Sequence, residues 1–209
     1  MEKMSKSINT KKVVLAGLMT ALVFLATRFT AFPGPLPPGY INLGDVVILI
    51  AAVTLGPGAG LVAGAFGSML ADLAFGAVIY MPVTFVVKGL EGFLAGFIAY
   101  RWLLKKKDRK VMSGTEKAGS GSLADIVRPK TGNSIRNITA ITAGALFMVA
   151  GYFLAEAYIL GLVDKAFGLA YAFANLPMNL IQCGLSILIG YLLLLYLPEF
   201  PGLKHKRRE

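Results

Sequence analysis

Between Val13 and Leu197 the chain reads as successive apolar runs, and its positive charge gathers at their ends. A helix of about 20 apolar residues crosses a bilayer, and within lipid only helices and closed barrels satisfy their own backbone groups. Val13–Phe32 is a run of that length. Lysines precede it, but no small-x-small cleavage site ends it, so it reads as a retained helix rather than a signal peptide. Composition agrees. Apolar residues make up 56% of the 209, charged residues 15%, and the mean hydropathy is +0.68. Soluble domains carry about 25% charged residues.

The net charge of +10 follows the same pattern. Lys3, Lys6, Lys11 and Lys12 precede the first run, ten basic residues lie from Arg101 to Arg136, and Lys204, Lys206, Arg207 and Arg208 sit near the end. Together they hold 18 of the 21 Lys and Arg. Basic clusters at the ends of apolar spans mark cytoplasmic flanks, so the charge points to topology and not to nucleic acid.

The reading is an all-α membrane protein of six transmembrane helices with cytoplasmic termini. The spans are about 13–32, 43–55, 61–75, 82–104, 138–162 and 167–197. An N-terminal segment, 1–12, precedes the first four spans in 13–104. A flexible basic linker, 105–137, separates them from the last two in 138–197, and a basic tail, 198–209, follows. Six spans place both termini and the linker on one side, and all three are basic. The linker is too polar to bury a core of its own. Spans 2 and 3 are short, and merging them would leave five. Gly56-Pro-Gly-Ala-Gly60 between them argues for a turn.

Polar residues inside a membrane are costly and default to functional hypotheses. In this topology they collect in the outer half. Asn42 and Asp45 open span 2, Asp72 lies near the end of span 3, and Tyr80 follows it. Lys88 and Glu91 lie roughly 9 and 13 Å into span 4 at 1.5 Å per residue. Glu156 is near the outer end of span 5, and Asn175, Asn179 and Gln182 are in the outer half of span 6. Thr84, Lys88 and Glu91 share one helix face by their i, i+4, i+7 spacing, as do the three amides. The inner half is almost wholly apolar, which describes a vestibule open outward and closed below rather than an ion path. Amides both donate and accept hydrogen bonds and suit a neutral heterocycle. Simpler roles stay open: Lys88 can pair with Glu91, the amides can join helices, and Asp45 and Asp72 can make helix-end or loop contacts.

Catalytic motifs are missing. The sequence has no G-x-x-x-x-G-K-[ST] phosphate loop and no H-E-x-x-H. His205 and Cys183 are the only residues of their kinds, so no His/Cys metal set is available. No cofactor or metal is expected. A Ser68–Lys88 or Ser186–Lys88 dyad would be needed for an intramembrane enzyme, and no spacing favours one.

Four stretches carry a family resemblance: Tyr40-Ile-Asn-Leu-Gly-Asp45, the glycine-rich Gly56–Asp72, Lys88-Gly-Leu-Glu-Gly92 and Asn175-Leu-Pro-Met-Asn-Leu-Ile-Gln182. With them the chain, over Val13–Leu197, resembles the S component of energy-coupling factor (ECF) vitamin transporters, in the riboflavin, hydroxymethylpyrimidine and pyridoxine branch. The resemblance implies a six-helix protein that binds a vitamin from outside, with Pro33–Ile41 as a lid. It implies partners: a membrane T component and two cytosolic ATPases. It implies a coupling face on helix 1, where the family's A-x-x-x-A is replaced by Gly17-Leu-Met-Thr-Ala21 and Ala16-Gly-Leu-Met-Thr20. The expected function is uptake of a water-soluble vitamin or precursor at the cell membrane. Pyridoxine or hydroxymethylpyrimidine is the first choice, then riboflavin or a queuosine-type base. An intramembrane enzyme and a ligand-free scaffold are the competing classes.

Overall fold

The computed structural model describes residues 10–34, 36–112 and 134–196. Six helices dominate: α1 (Thr10–Thr30), α2 (Gly44–Leu55), α3 (Pro57–Phe75), α4 (Met81–Met112), α5 (Ser134–Leu154) and α6 (Leu169–Tyr196). A 3-10 turn at Val78–Tyr80 leads into α4, and a π turn at Ala155–Ile159 extends α5. Between α1 and α2, β1 (Phe32–Pro33) pairs antiparallel with β2 (Tyr40–Ile41), Phe32 opposite Ile41.

All six expected spans correspond to helices, with shifted ends. α4 runs eight residues beyond Leu104, and α5 begins four before Ile138. The expected linker boundaries of 105 and 137 therefore move inward. The reason is local: Lys105-Lys-Lys-Asp-Arg-Lys110 consists largely of good helix formers, which prolong a helix beyond its apolar part. The rest of the linker, most of segment 1–12 and the tail 198–209 lie outside the described residues. Among the described residues, five helical segments are long and apolar enough to cross a membrane. α2, at 12 residues, is only about 18 Å long.

α2 is enclosed. It packs against α1, α3, α4, α5 and α6, and Ile48, Leu49, Ala51 and Ala52 are wholly buried. α1 is peripheral, burying only Met19, Val23 and Thr27 on one face. The break expected between spans 2 and 3 falls at Gly56, whose φ of 98° favours glycine. Pro57 then starts α3, where its missing N–H is no loss.

Glycines set the closest helix contact. A Cβ on Gly60 of α3 would stand 2.6 Å from the Gly92 carbonyl oxygen of α4, and one on Gly96 2.6 Å from Pro57. One on Gly64 would meet the Lys88 carbonyl. In lipid, helices associate through such close backbone approach. Gly60→Val should lower the midpoint of thermal unfolding in detergent, by the equivalent of about 1–3 kcal/mol of overpacking. Gly184→Ala, where an added Cβ meets nothing within 4 Å, should leave it unchanged. Equal midpoints for both variants would show that α3 and α4 do not pack this closely.

Candidate functional site

One end of the bundle encloses a polar cavity. It is lined by the ends of α1, α3 and α5, the starts of α4 and α6, and the β1–β2 hairpin. Its empty space is about 550 Å³ counting the open mouth, though the enclosed part has room for only a few waters.

The expected residues converge here. Asn42, Tyr80, Lys88, Glu156, Asn175, Asn179 and Gln182 all line the cavity. Asp45 and Glu91 do not line it; they are fully buried against Lys88. The Lys88 ammonium bonds to Asp45 and lies 3.4 Å from Glu91 Oε2. Lys88 therefore does pair with Glu91, but its tighter partner is on another helix. Gln182 ties this cluster to the chain above it, donating to Asp45 Oδ2 at 2.7 Å and accepting from the Asn42 N–H at 2.8 Å.

Glu156 sits on the π turn, which inserts an extra residue into its helix turn. Its Oε1 accepts from the Tyr80 hydroxyl and from Asn175 Nδ2, each at 2.9 Å. Two of the three α6 amides thus do join helices, while Asn179 Nδ2 has no hydrogen-bond partner. Asp72 is both a loop contact and a lining residue: the Tyr40 hydroxyl donates to its Oδ1 at 2.5 Å. Burial beside the Asp72 charge pushes the Tyr40 phenol up, so it remains a donor throughout the physiological range.

The hairpin covers part of the mouth. The Gly34 N–H donates to the Gly39 carbonyl at 2.8 Å, and the Tyr171 hydroxyl donates to the Leu36 carbonyl at 3.2 Å. A Cβ on Gly39 would stand 3.0 Å from Asn175 Nδ2 and 3.1 Å from the Leu36 carbonyl oxygen, so a larger residue would require the loop or Asn175 to give by a few tenths of an ångström.

Thr27, Tyr152 and Met178, not singled out from sequence, also line the cavity, as does Ser68, which was weighed only as a dyad partner of Lys88. Spacing carried a signal for two of them: Ser68 is four residues before Asp72, and Tyr152 four before Glu156. On α1, Gly17 and Ala21 are exposed and Ala16 and Thr20 half-buried. An added Cβ on Gly17 meets nothing within 4 Å. This small-residue face lies away from the cavity. Among the described residues no three His, Cys, Asp or Glu side chains are grouped to hold a metal ion.

With this geometry in view, comparison with known proteins is informative. The family model for the S component of ECF-type riboflavin transporters matches residues 7–198. A thiamine precursor transporter, HmpT, of Lactococcus lactis is 36% identical over 102 residues, which is 48% of this chain and 61% of that protein. The chain thus matches less than two thirds of that relative's length. An uncharacterized protein of Pyrococcus woesei is 30% identical over 168 residues, 80% of this chain and 88% of that one. The crystal structure of the biotin S component of an ECF-type ABC transporter superposes with a TM-score of 0.54. It covers 94% of this chain and 97% of its own at 17% identity, a likeness of fold.

The buried cluster gives a stability test. Replacing Lys88 by Met strands two carboxylates, and breaking a buried pair costs about 3–5 kcal/mol. Lys88→Met should sharply reduce the yield of monomer and its unfolding midpoint in detergent. Adding Asp45→Asn and Glu91→Gln should restore most of both. A single variant as stable as the wild type would show that the carboxylates do not depend on Lys88.

Proposed function

Because the chain belongs to the family of ECF-type riboflavin transporter S components, we propose that it captures a water-soluble vitamin or precursor in the hairpin-covered cavity. It is a multi-pass protein of the cell membrane and a transporter component, not an enzyme. S components of this type pair with a T component and ATPases. For this chain we take a T component and two cytosolic ATPases as partners. We further take six membrane helices, with α2 enclosed among the others, and place both termini and the basic linker in the cytoplasm.

The observation that carries the reading is the asymmetry of the bundle interior. Carboxylates, amides and phenols fill one end, while beyond the Lys88 cluster Val53, Ala95, Ile141 and Leu194 pack in an apolar layer, with Thr54, Arg136 and Asn137 buried toward the far end. Such a chamber can hold a solute but offers it no polar path through. The preferred ligand is a small pyrimidine or pyridine, hydroxymethylpyrimidine or pyridoxine, because the enclosed space is small and the HmpT relative is a thiamine precursor transporter. Riboflavin is the second reading, favoured by the description of the matching family.

Titration calorimetry of the purified protein with hydroxymethylpyrimidine, pyridoxine and riboflavin tests the choice. Glu156→Ala and Asn179→Ala should each weaken binding of the preferred ligand about five- to 150-fold, the equivalent of 1–3 kcal/mol for a lost buried partner. Unchanged affinity in both variants would move the site elsewhere.

Coupling is proposed at Ala16, Gly17, Thr20 and Ala21. Close approach of a partner helix needs small residues, and Gly17 and Ala21 are uncovered. Gly17→Trp and Ala21→Trp should keep vitamin binding and abolish uptake by cells that supply the partner subunits. Wild-type uptake by both would place the docking face elsewhere.

A further inference from the structure

Tyr171 does not line the cavity, yet its hydroxyl sits between the cavity wall and the hairpin. It lies 3.2 Å from the Leu36 carbonyl oxygen, 3.3 Å from that of Pro37 and 3.2 Å from the Tyr80 hydroxyl. The Tyr80 hydroxyl in turn lies 2.9 Å from Glu156 Oε1. Polar contacts thus run unbroken from Glu156 through two phenols to the hairpin tip. Both tyrosines are buried. Phe167 packs against both rings, edge-on to Tyr80 at 5.7 Å and tilted over Tyr171 at 4.5 Å, so ring packing helps to hold the hydroxyls where they are.

Each phenol has one proton to donate. Two protons therefore serve three links: Tyr80 to Glu156, Tyr80 to Tyr171, and Tyr171 to the tip. One link always goes without. If Tyr171 turns its proton to Tyr80, and Tyr80 its own to Glu156, the tip carbonyls lose their donor. If both outer links are made, the two phenol oxygens face each other with no proton between them. If Tyr80 turns its proton to Tyr171, Tyr171 has only the tip to donate to, and the two bonds reinforce each other. The base of the hairpin has no such choice. There the Leu43 N–H donates to Thr30 Oγ1, the Asn42 N–H to Gln182 Oε1 and the Gly44 N–H to Asn42 Oδ1, each at 2.8 Å.

We propose that Tyr171 is a positioning residue for capture: it latches the hairpin tip, and Tyr80 sets the latch according to whether Glu156 is occupied. This rests on the uptake reading and goes beyond it. A bound solute that donates to Glu156 Oε1 frees the Tyr80 proton, which turns to Tyr171 and commits Tyr171 to the tip. In the empty protein Glu156 competes for that proton, and the tip is held less often.

The first test needs no solute. Ser68→Cys in a Cys183→Ala background places a thiol in the cavity wall. Its rate of reaction with a bulky maleimide, on the full chain in detergent, reads how often the tip lifts. Tyr171→Phe keeps the ring and should speed labelling about two- to tenfold, the worth of one hydrogen bond. Tyr80→Phe removes the competing acceptor, so its labelling should be no faster than the parent's. Equal rates in Tyr171→Phe and the parent would overturn the latch. Faster labelling in both variants would reduce the two hydroxyls to packing and overturn the relay. The second test follows dissociation of hydroxymethylpyrimidine, pyridoxine or riboflavin, whichever the parent binds, by stopped flow. Tyr171→Phe should speed dissociation by a similar factor without slowing association, and an unchanged dissociation rate would overturn the link to occupancy. If none of the three binds, the uptake reading and the link to occupancy fall, while the labelling still decides the latch.

Discussion

The polar groups where α2, α4 and α6 meet are arranged around one buried lysine. Lys88 reaches from α4 to Asp45 at the start of α2 and keeps Glu91 beside it on its own helix. Moving such charges out of water costs several kcal/mol each unless they pair and hydrogen-bond well. Gln182 completes the arrangement by bonding to Asp45 and to the backbone at Asn42. Three helices and the end of the hairpin thus meet at one electrostatic joint. The joint also separates the polar chamber from the apolar layer around Val53, Ile141 and Leu194.

The chamber keeps its shape because the helices beneath it cannot slide. Glycines on α3 and α4 bring backbone against backbone, and Gly67 brings α3 equally close to Val23 of α1. Contacts of this kind leave little free volume, and packed interiors resist continuous deformation. Ser68 and Asp72 ride on the same helix as these glycines. Tight packing below thereby fixes the position of acceptor groups above. The rim is different: the hairpin is held by a few backbone bonds and by the hydroxyls of Tyr171 and Tyr40.

Much of this was legible before any coordinates. Hydropathy and the basic clusters located the six helices, and the i, i+4, i+7 rule put Asn175, Asn179 and Gln182 on one face. The pairing of Lys88 with Glu91 was readable from their spacing within one helix. Its stronger contact with Asp45 was not, because 43 residues separate them and no local periodicity reports which helices touch. Tyr152 and Ser68 carried a spacing signal, but a tyrosine or serine in a membrane helix is too ordinary to stand out beside a charge. The helical continuation to Met112 was hidden for the opposite reason. A hydropathy reading stops where lysines begin, whereas lysine favours the helix itself.

The π turn at Ala155–Ile159 has a consequence for how such a site can change. A π turn amounts to one residue more than a regular helix needs. Each residue of an α-helix turns the chain by about 100°. Removing one residue from this turn would let ordinary helical bonding resume, yet Glu156 and Tyr152 could no longer both keep their present bearings. Glu156 would turn away from Tyr80 and Asn175. A single-codon change in length, rather than any substitution, therefore separates a bundle with this acceptor in its chamber from one without it. Lineages that diverge in what they capture have here a short mutational step that leaves the scaffold intact.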